Sequence, residues 1–244
     1  MTAFANFPYE IVETDGENAL AVWEELNTAG RGSPIVLGED IDNLLAVFDP
    51  AEQAQLLPVE DILAAADAIS FPDGLRKLRW DELAEAQLYF KQIASLADFK
   101  GEEDEAPLGE WPAATSYGYG LSVAWDPRTG QPRSTVRIAL IPTDDPTAIP
   151  AYLRWGNWNS CPPPAYHVAA LRAWRDRYGA ELVGLSADVI NLRVSRKPAT
   201  REDALELARA HYVYCNDIID QGVGSYRELA AGLMASDWWF FWWD

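Results

Sequence analysis

At 244 residues, with 49% apolar and 12% aromatic residues, the chain is long enough for one large domain or two small ones around a substantial core. A formal net charge of −19 argues against nucleic acid as a partner, since phosphate contacts need Lys and Arg; two cysteines exclude a disulfide framework and fit a reducing compartment. No apolar run approaches the roughly 18–20 residues of a membrane helix, and the N-terminus shows neither a basic n-region nor an h-region, so a cytoplasmic protein without a membrane partner is expected.

In chain order, residues 9–14 (YEIVET) alternate like a strand and end at the turn pair Asp15-Gly16. Residues 17–27 place Leu20, Val22, Trp23 and Leu26 at helical spacing, with Gly30 just beyond. Residues 34–37 (PIVL) read as a short apolar strand. Residues 59–69 and 80–96 read as helices, the second with Leu83, Gln87, Phe90 and Ile93 near one face. Residues 100–110 (KGEEDEAPLGE) are the linker candidate.

Past that linker, 120–125 and 135–141 flank a turn at 126–130 and read as a β-hairpin. Helix 165–178 should stop at Gly179, and strands 181–185 and 189–194 follow, joined by Ser186-Ala187-Asp188. Thr200 and Ser225 stand as N-caps of two further helices. Residues 238–243 (WWFFWW) are apolar on both faces and read as a strand buried near the centre of the sheet. The expected fold is α/β, with α+β as the variant. It is a mixed sheet with helices packed on it and a buried Trp-rich C-terminal strand, divided into an acidic α/β region 1–110 and a C-terminal α/β domain 111–244.

The charge is uneven. Residues 1–110 hold 24 acidic against 6 basic side chains, whereas 111–244 hold 14 against 13, and 12 of those 13 bases are Arg. An acidic half of this kind solubilises, and it also steers a basic partner toward itself.

The stretches IPAYLRWGNWNSCPPPAYHVAALRAW, RYGAELVGLSADVINLRV, ALELARAHYVYCNDII, QGVGSYRELAAGL and WWFFWWD fall in one order between Pro150 and Asp244. In that order and spacing the chain resembles the bacterial family catalogued as domain of unknown function 4253. The resemblance implies an α/β domain and carries no activity with it. His211 stands where the resemblance implies Gln or another polar residue.

All the cysteines and histidines fall into two close pairs, Cys161 with His167 and His211 with Cys215. By ligand type the four would suit tetrahedral zinc, although the spacing is not that of a standard finger. Alternatively, Cys161 is a nucleophile with His167 as base and Asp217 or Asp188 as orienter. The bland alternative is a packed core. Trp155, Asn157, Trp158 and Asn159 form a loop of rings and amides that could line a ligand pocket or cap the core beneath WWFFWW. No P-loop, GxGxxG, HExxH or GxSxG motif occurs. The sequence therefore leans to a non-catalytic protein-binding module, immunity-like or regulatory, that meets a basic protein through its acidic half and needs no cofactor. A Cys/His-dependent enzyme or zinc protein is the alternative.

Overall fold

Six segments rich in β-branched and aromatic residues pair into one mixed sheet in the computed structural model, which describes residues 6–49, 56–99, 106–114 and 120–244. The strands are β1 (Glu10–Thr14), β2 (Ser33–Gly38), β3 (Val136–Ile141), β4 (Ala180–Leu185), β5 (Val189–Val194) and β6 (Trp238–Trp242), in the order β1-β3-β2-β4-β5-β6. Only β2 and β4 run parallel. Strand β3 lies between β1 and β2, antiparallel to both, with Ile138 opposite Val12 on one side and Val36 on the other. Strands from both sides of residue 110 are thus interleaved in one sheet.

Every residue of β2 is buried, as a strand covered on both faces requires. One face is covered by α1 (Ala19–Ala29) and the 3-10 turn Ser122–Ala124, through Trp23, Val123 and Ala124 packed on Val36, Ile138 and Val183. Trp23 also donates its indole N–H to the Pro34 carbonyl at 2.8 Å. The opposite face carries α5 (Ile149–Leu153), α6 (Pro164–Tyr178), α7 (Arg201–Tyr214) and α8 (Tyr226–Ala235). The short α2 (Asp42–Ala46), α3 (Val59–Asp67) and α4 (Asp73–Tyr89) complete the outer layer.

Helix ends follow local chemistry. Gly179 takes the left-handed conformation (φ 59°) that closes α6, a backbone state a Cβ would disfavour. Thr200 and Ser225 accept the N–H groups of Asp203 and Glu228, satisfying donors that have no partner inside the helix. The α8 N-terminus is finished by the carbonyls of Pro107 and Leu108, which accept from the Tyr226 and Arg227 N–H groups at 2.9 and 3.1 Å. Residues 106–109 are therefore docked on α8, while 100–105, the rest of the expected linker, lie outside the described residues.

Three expectations need correction. Strand β6 is an edge strand: it pairs only with β5, so WWFFWW is not at the sheet centre. Its side chains still alternate, Trp239 and Phe241 buried and Trp238, Phe240 and Trp242 half-buried. Six consecutive aromatic residues hide that period-2 pattern from a sequence reading. The expected hairpin partner at 120–125 is a 3-10 turn, held to β5 because Asn191 Oδ1 accepts the Val123 N–H, and β3 pairs with β1 and β2 instead. Helix α4 begins at Asp73 and ends at Tyr89; it buries Leu75 and Ala84 and leaves Leu83 and Phe90 exposed.

At the centre of the helical face Trp174 of α6 stacks on Phe241 (5.3 Å, 9° between planes) and meets the edges of Phe71, His211, Tyr214 and Trp239. Each such pair adds about 0.5–1.5 kcal/mol beyond burial. Trp174→Ala should cost about 3–5 kcal/mol, read as a lower urea midpoint at unchanged m-value; a loss below about 1 kcal/mol would show that the ring cluster is not a structural centre.

Candidate functional site

The segment from Arg154 to Pro163 crosses from α5 to α6 in an irregular path. Arg154, Asn157 and Asn159 take positive φ (54°, 73° and 43°), as does Gly156 (115°). Such backbone states persist only where the surroundings over-determine them. Here the Pro162 carbonyl accepts the Asn157 N–H (2.9 Å) and the Trp158 carbonyl accepts that of Cys161 (2.7 Å). The Arg79 guanidinium donates to the Ser160 carbonyl, and Asn159 Nδ2 donates to the Asp244 carbonyl at 2.6 Å. Gly156 is obligatory: a Cβ there would lie against the Pro162 carbonyl and 2.7 Å from His167 Nε2.

Beneath this loop Cys161 Sγ lies 3.5 Å from His167 Nε2, and His167 Nδ1 lies 2.6 Å from the Tyr214 hydroxyl. The expected Cys–His contact therefore exists, but Tyr214 orients the imidazole. Asp217 instead accepts from Gln221 and from the Asp244 N–H, while Asp188 accepts from Ser186 and from the Trp242 indole N–H at 3.2 Å. Nothing in the spacing of His167 and Tyr214 marks them as partners; helix packing of α6 on α7 alone brings them together.

Burial sets the protonation of the group. Desolvation pushes the Cys161 thiol far above its ordinary range and lowers the His167 imidazole to about 3, and all three side chains are essentially inaccessible. A thiolate–imidazolium pair is thus disfavoured, and the arrangement is a neutral chain of hydrogen bonds inside rings of Trp155 and Trp243.

The second pair shares no hydrogen bond with the first, although Cys215 lies near enough to Cys161 to help raise its thiol. Cys215 lies just past α7 in an extended conformation (φ −149°, ψ 95°), so its side chain leaves the face that His211 occupies. The Cys215 thiol donates to the Trp242 carbonyl at 2.9 Å and is pushed up to about 12 by burial. His211 is enclosed by Trp174, Trp239 and Phe241, its imidazole lowered by burial to about 3. Among the described residues no three His, Cys, Asp or Glu side chains converge as a metal-holding group, so the four-residue zinc set is not assembled.

Trp155 is buried and gives its indole N–H to the Ser186 carbonyl at 2.7 Å. With Trp158 it lines a cavity of about 390 Å³ next to Ala187 and Asp188, whereas Asn157 and Asn159 are outside its lining. A neighbouring crevice of about 480 Å³ opens on the other side of Asp188. It sits over the carboxyl ends of the parallel pair β2 and β4, whose next strands in sequence, β3 and β5, lie on opposite sides of the pair. In open α/β sheets that divergence is where ligands bind. Glu39, Asp40 and Asp188 face it together with Trp125, Phe240 and Trp242. No sequence pattern marks Trp125 or the outer-face rings of β6, because a crevice between two strand ends exists only once β2 and β4 are neighbours.

Residues 137–244 match the family described as domain of unknown function (DUF4253). The match starts at the second residue of β3, upstream of Pro150, and takes in β4, β5, β6 and the Cys161–His167–Tyr214 chain. It leaves out β1, β2, Asp40 and Trp125, so the larger part of the crevice lining lies outside the matched region. Neither curated proteins nor solved structures give a match to the chain. Among the described residues no helix is long and apolar enough to cross a membrane.

Both histidines are held neutral, so the unfolded chain binds two more protons than the folded one once pH falls below the ordinary value of 6.5. Stability is complete above that pH and is lost as pH falls toward 3, at about 1.4 kcal/mol per pH unit for each histidine. In His211→Phe, unfolding followed between pH 6.5 and about 5, above most carboxylate titration, should show half the wild-type slope; an unchanged slope would mean that His211 is not held neutral. Gly156→Ala should destabilise by more than about 2 kcal/mol and open Cys161 to a thiol reagent such as DTNB, which should leave both cysteines of the folded wild type untouched.

Proposed function

We propose that this protein is a non-catalytic binding module that takes a cationic segment of a protein partner in the crevice over the carboxyl ends of β2 and β4. One observation carries the reading: three carboxylates and three half-buried or exposed aromatic rings converge there against a single base. That base, Arg133, is already paired with Glu39 at 2.9 Å. Trp125 is 40% exposed and shares the crevice lining with Asp40, and a Lys or Arg held there gains cation–π and Coulomb attraction together.

The wider charge pattern supports the same partner class with a smaller share than the sequence suggests. Among the described residues five C-terminal arginines meet N-terminal carboxylates: Arg133 with Glu39, Arg137 with Glu13, Arg172 with Asp67, Arg193 with Glu24 and Arg227 with Glu110. Part of the acidic excess is therefore met by arginines of this chain rather than left to face a partner. What remains still repels polyanions and steers cations. A role in the bacterial cytoplasm as an immunity-like or regulatory protein, directed at a basic protein and independent of any cofactor, fits this chemistry. Catalysis by Cys161 and His167 is the weaker reading, because that pair is closed to solvent and uncharged.

The test is capture from a lysate of the source organism at 50 mM and 500 mM salt, with wild type and with an Asp40→Lys, Trp125→Ala double variant. A basic protein retained at low salt, released at high salt and lost by more than about tenfold in the variant supports the reading, since charge steering is screened and the ring and carboxylate act together. Capture that is indifferent to both salt and variant, or no basic protein retained at all, overturns it.

A further inference from the structure

Two openings flank Asp188. The crevice lies on one side, and on the other is the cavity of about 390 Å³ lined by Trp155 and Trp158. Ala187 and Asp188 line both, so the two share a wall. The stretch 40–47 is shared as well: Asp40 lines the crevice, whereas Asn43, Leu44 and Val47 line the cavity. The wall is held in place, because Asp188 accepts from the Ser186 hydroxyl and the Trp242 indole and its carbonyl accepts the Trp243 N–H at 3.1 Å.

The two sides differ in charge. Glu39, Asp40 and Asp188 face the crevice with Arg133 as the only base. The cavity has one charge of each sign, Arg154 and Asp188. Arg154 donates to the carbonyls of Leu57, Ala151 and Tyr152, and Glu60 acts on it from beyond ion-pair distance. A balanced lining of this kind exerts no net pull on an ion, and Arg154 opposes entry of a second cation. A basic residue therefore belongs on the crevice side of Asp188, and the cavity suits an uncharged group.

The rest of that lining is largely apolar, with Leu44, Val47 and Leu153 beside the two indoles. The Trp155 N–H is already given to the Ser186 carbonyl, and the ring meets Trp158 edge to face at 4.9 Å, so the indoles brace each other. Arg154 and Gly156 hold positive φ, a state fixed by the packing around them, so this wall needs little ordering when something binds. The volume is at the small end for ligand sites and suits one large side chain.

We propose that the partner segment carries two anchors: a basic residue in the crevice and, within three positions of it, a large apolar side chain such as Phe in the Trp155–Trp158 cavity. The proposal rests on the crevice being the seat of a cationic segment. In an extended segment, residues two apart project to the same side about 7 Å from each other, which sets two anchors astride a thin wall.

Fluorescence anisotropy with labelled eight-residue Gly/Ser peptides tests it. One peptide carries a single Arg, one a single Phe, and a set carries both at separations of one to three in either order. At least one paired peptide should bind about tenfold or more tighter than either single-residue peptide, since burying one ring adds on that scale. Val47→Gln, at a half-buried position just past α2, should abolish that gain and leave the Arg peptide unchanged, with the melting temperature moved by no more than about 3 °C. Paired peptides no tighter than the Arg peptide, or no tighter than the Phe peptide, overturn the two-anchor proposal and leave the crevice reading standing. A gain that survives Val47→Gln overturns the cavity as the second seat. Absence of binding by every peptide at millimolar concentration, or paired binding indifferent to Asp40→Lys with Trp125→Ala, overturns the crevice reading and this proposal together.

Discussion

The placement of β3 between β1 and β2 is the constraint on which the remaining architecture depends. Its central residue Ile138 faces Val12 on one side and Val36 on the other, so one strand supplies hydrogen bonds to both N-terminal strands. Only with β3 in place is β2 a buried central strand, free on its far side to pair in parallel with β4. That parallel pair creates the divergence at the carboxyl ends of β2 and β4, and with it the crevice. The Arg-to-carboxylate contacts that join the two halves, Arg137 with Glu13 and Arg193 with Glu24, then fall on the surface of an already formed sheet. Exposed pairs of that kind add little each; the strand order does the joining.

Burial decides which polar groups keep their chemistry. Cys161, His167, His211 and Cys215 are the most reactive residue types in the chain, and all four are enclosed by the aromatic layer around Trp174, Trp239 and Trp243. Desolvation there favours neutral forms, so proximity of thiol and imidazole produces a hydrogen bond rather than a nucleophile. The groups that retain charge and access lie outside that layer. They form two unlike clusters: carboxylates with rings over the ends of β2 and β4, and guanidiniums with rings between α4 and α7.

Much of the fold was legible from residue pattern. Strands at Glu10–Thr14, Ser33–Gly38, Ala180–Leu185 and Val189–Val194, the caps at Thr200 and Ser225 and the stop at Gly179 each rest on local signals that the structure keeps. The edge position of β6 was not legible, because six aromatic residues in a row carry no alternation. The pairing of β3 was not legible either, since the turn at 126–130 is local and draws attention to a neighbour, whereas the real partners are more distant in sequence. Of the candidate site, Cys161 and His167 stand out in the sequence as a close pair, but neither their contact nor Tyr214 as its third member is visible in the spacing. The crevice residues Asp40 and Trp125 and the cavity residues Val47 and Leu153 share no motif; tertiary packing alone assembles them. Counting charge by halves pointed to the acids and concealed the arginine cluster.

The interleaved strand order also bears on how the chain is made. Strands β1 and β2 leave the ribosome early, yet the strand that must separate them is not complete until Ile141 has emerged. Throughout that interval β1 and the apolar β2 have unpaired edges and no sheet to join. Such long-range closure slows folding and exposes strands to wrong partners. The acidic residues crowded into the first 110 positions are well suited to that interval: nascent chains carrying like charge repel one another, so the composition of the N-terminal half protects the unfinished protein as well as the finished one.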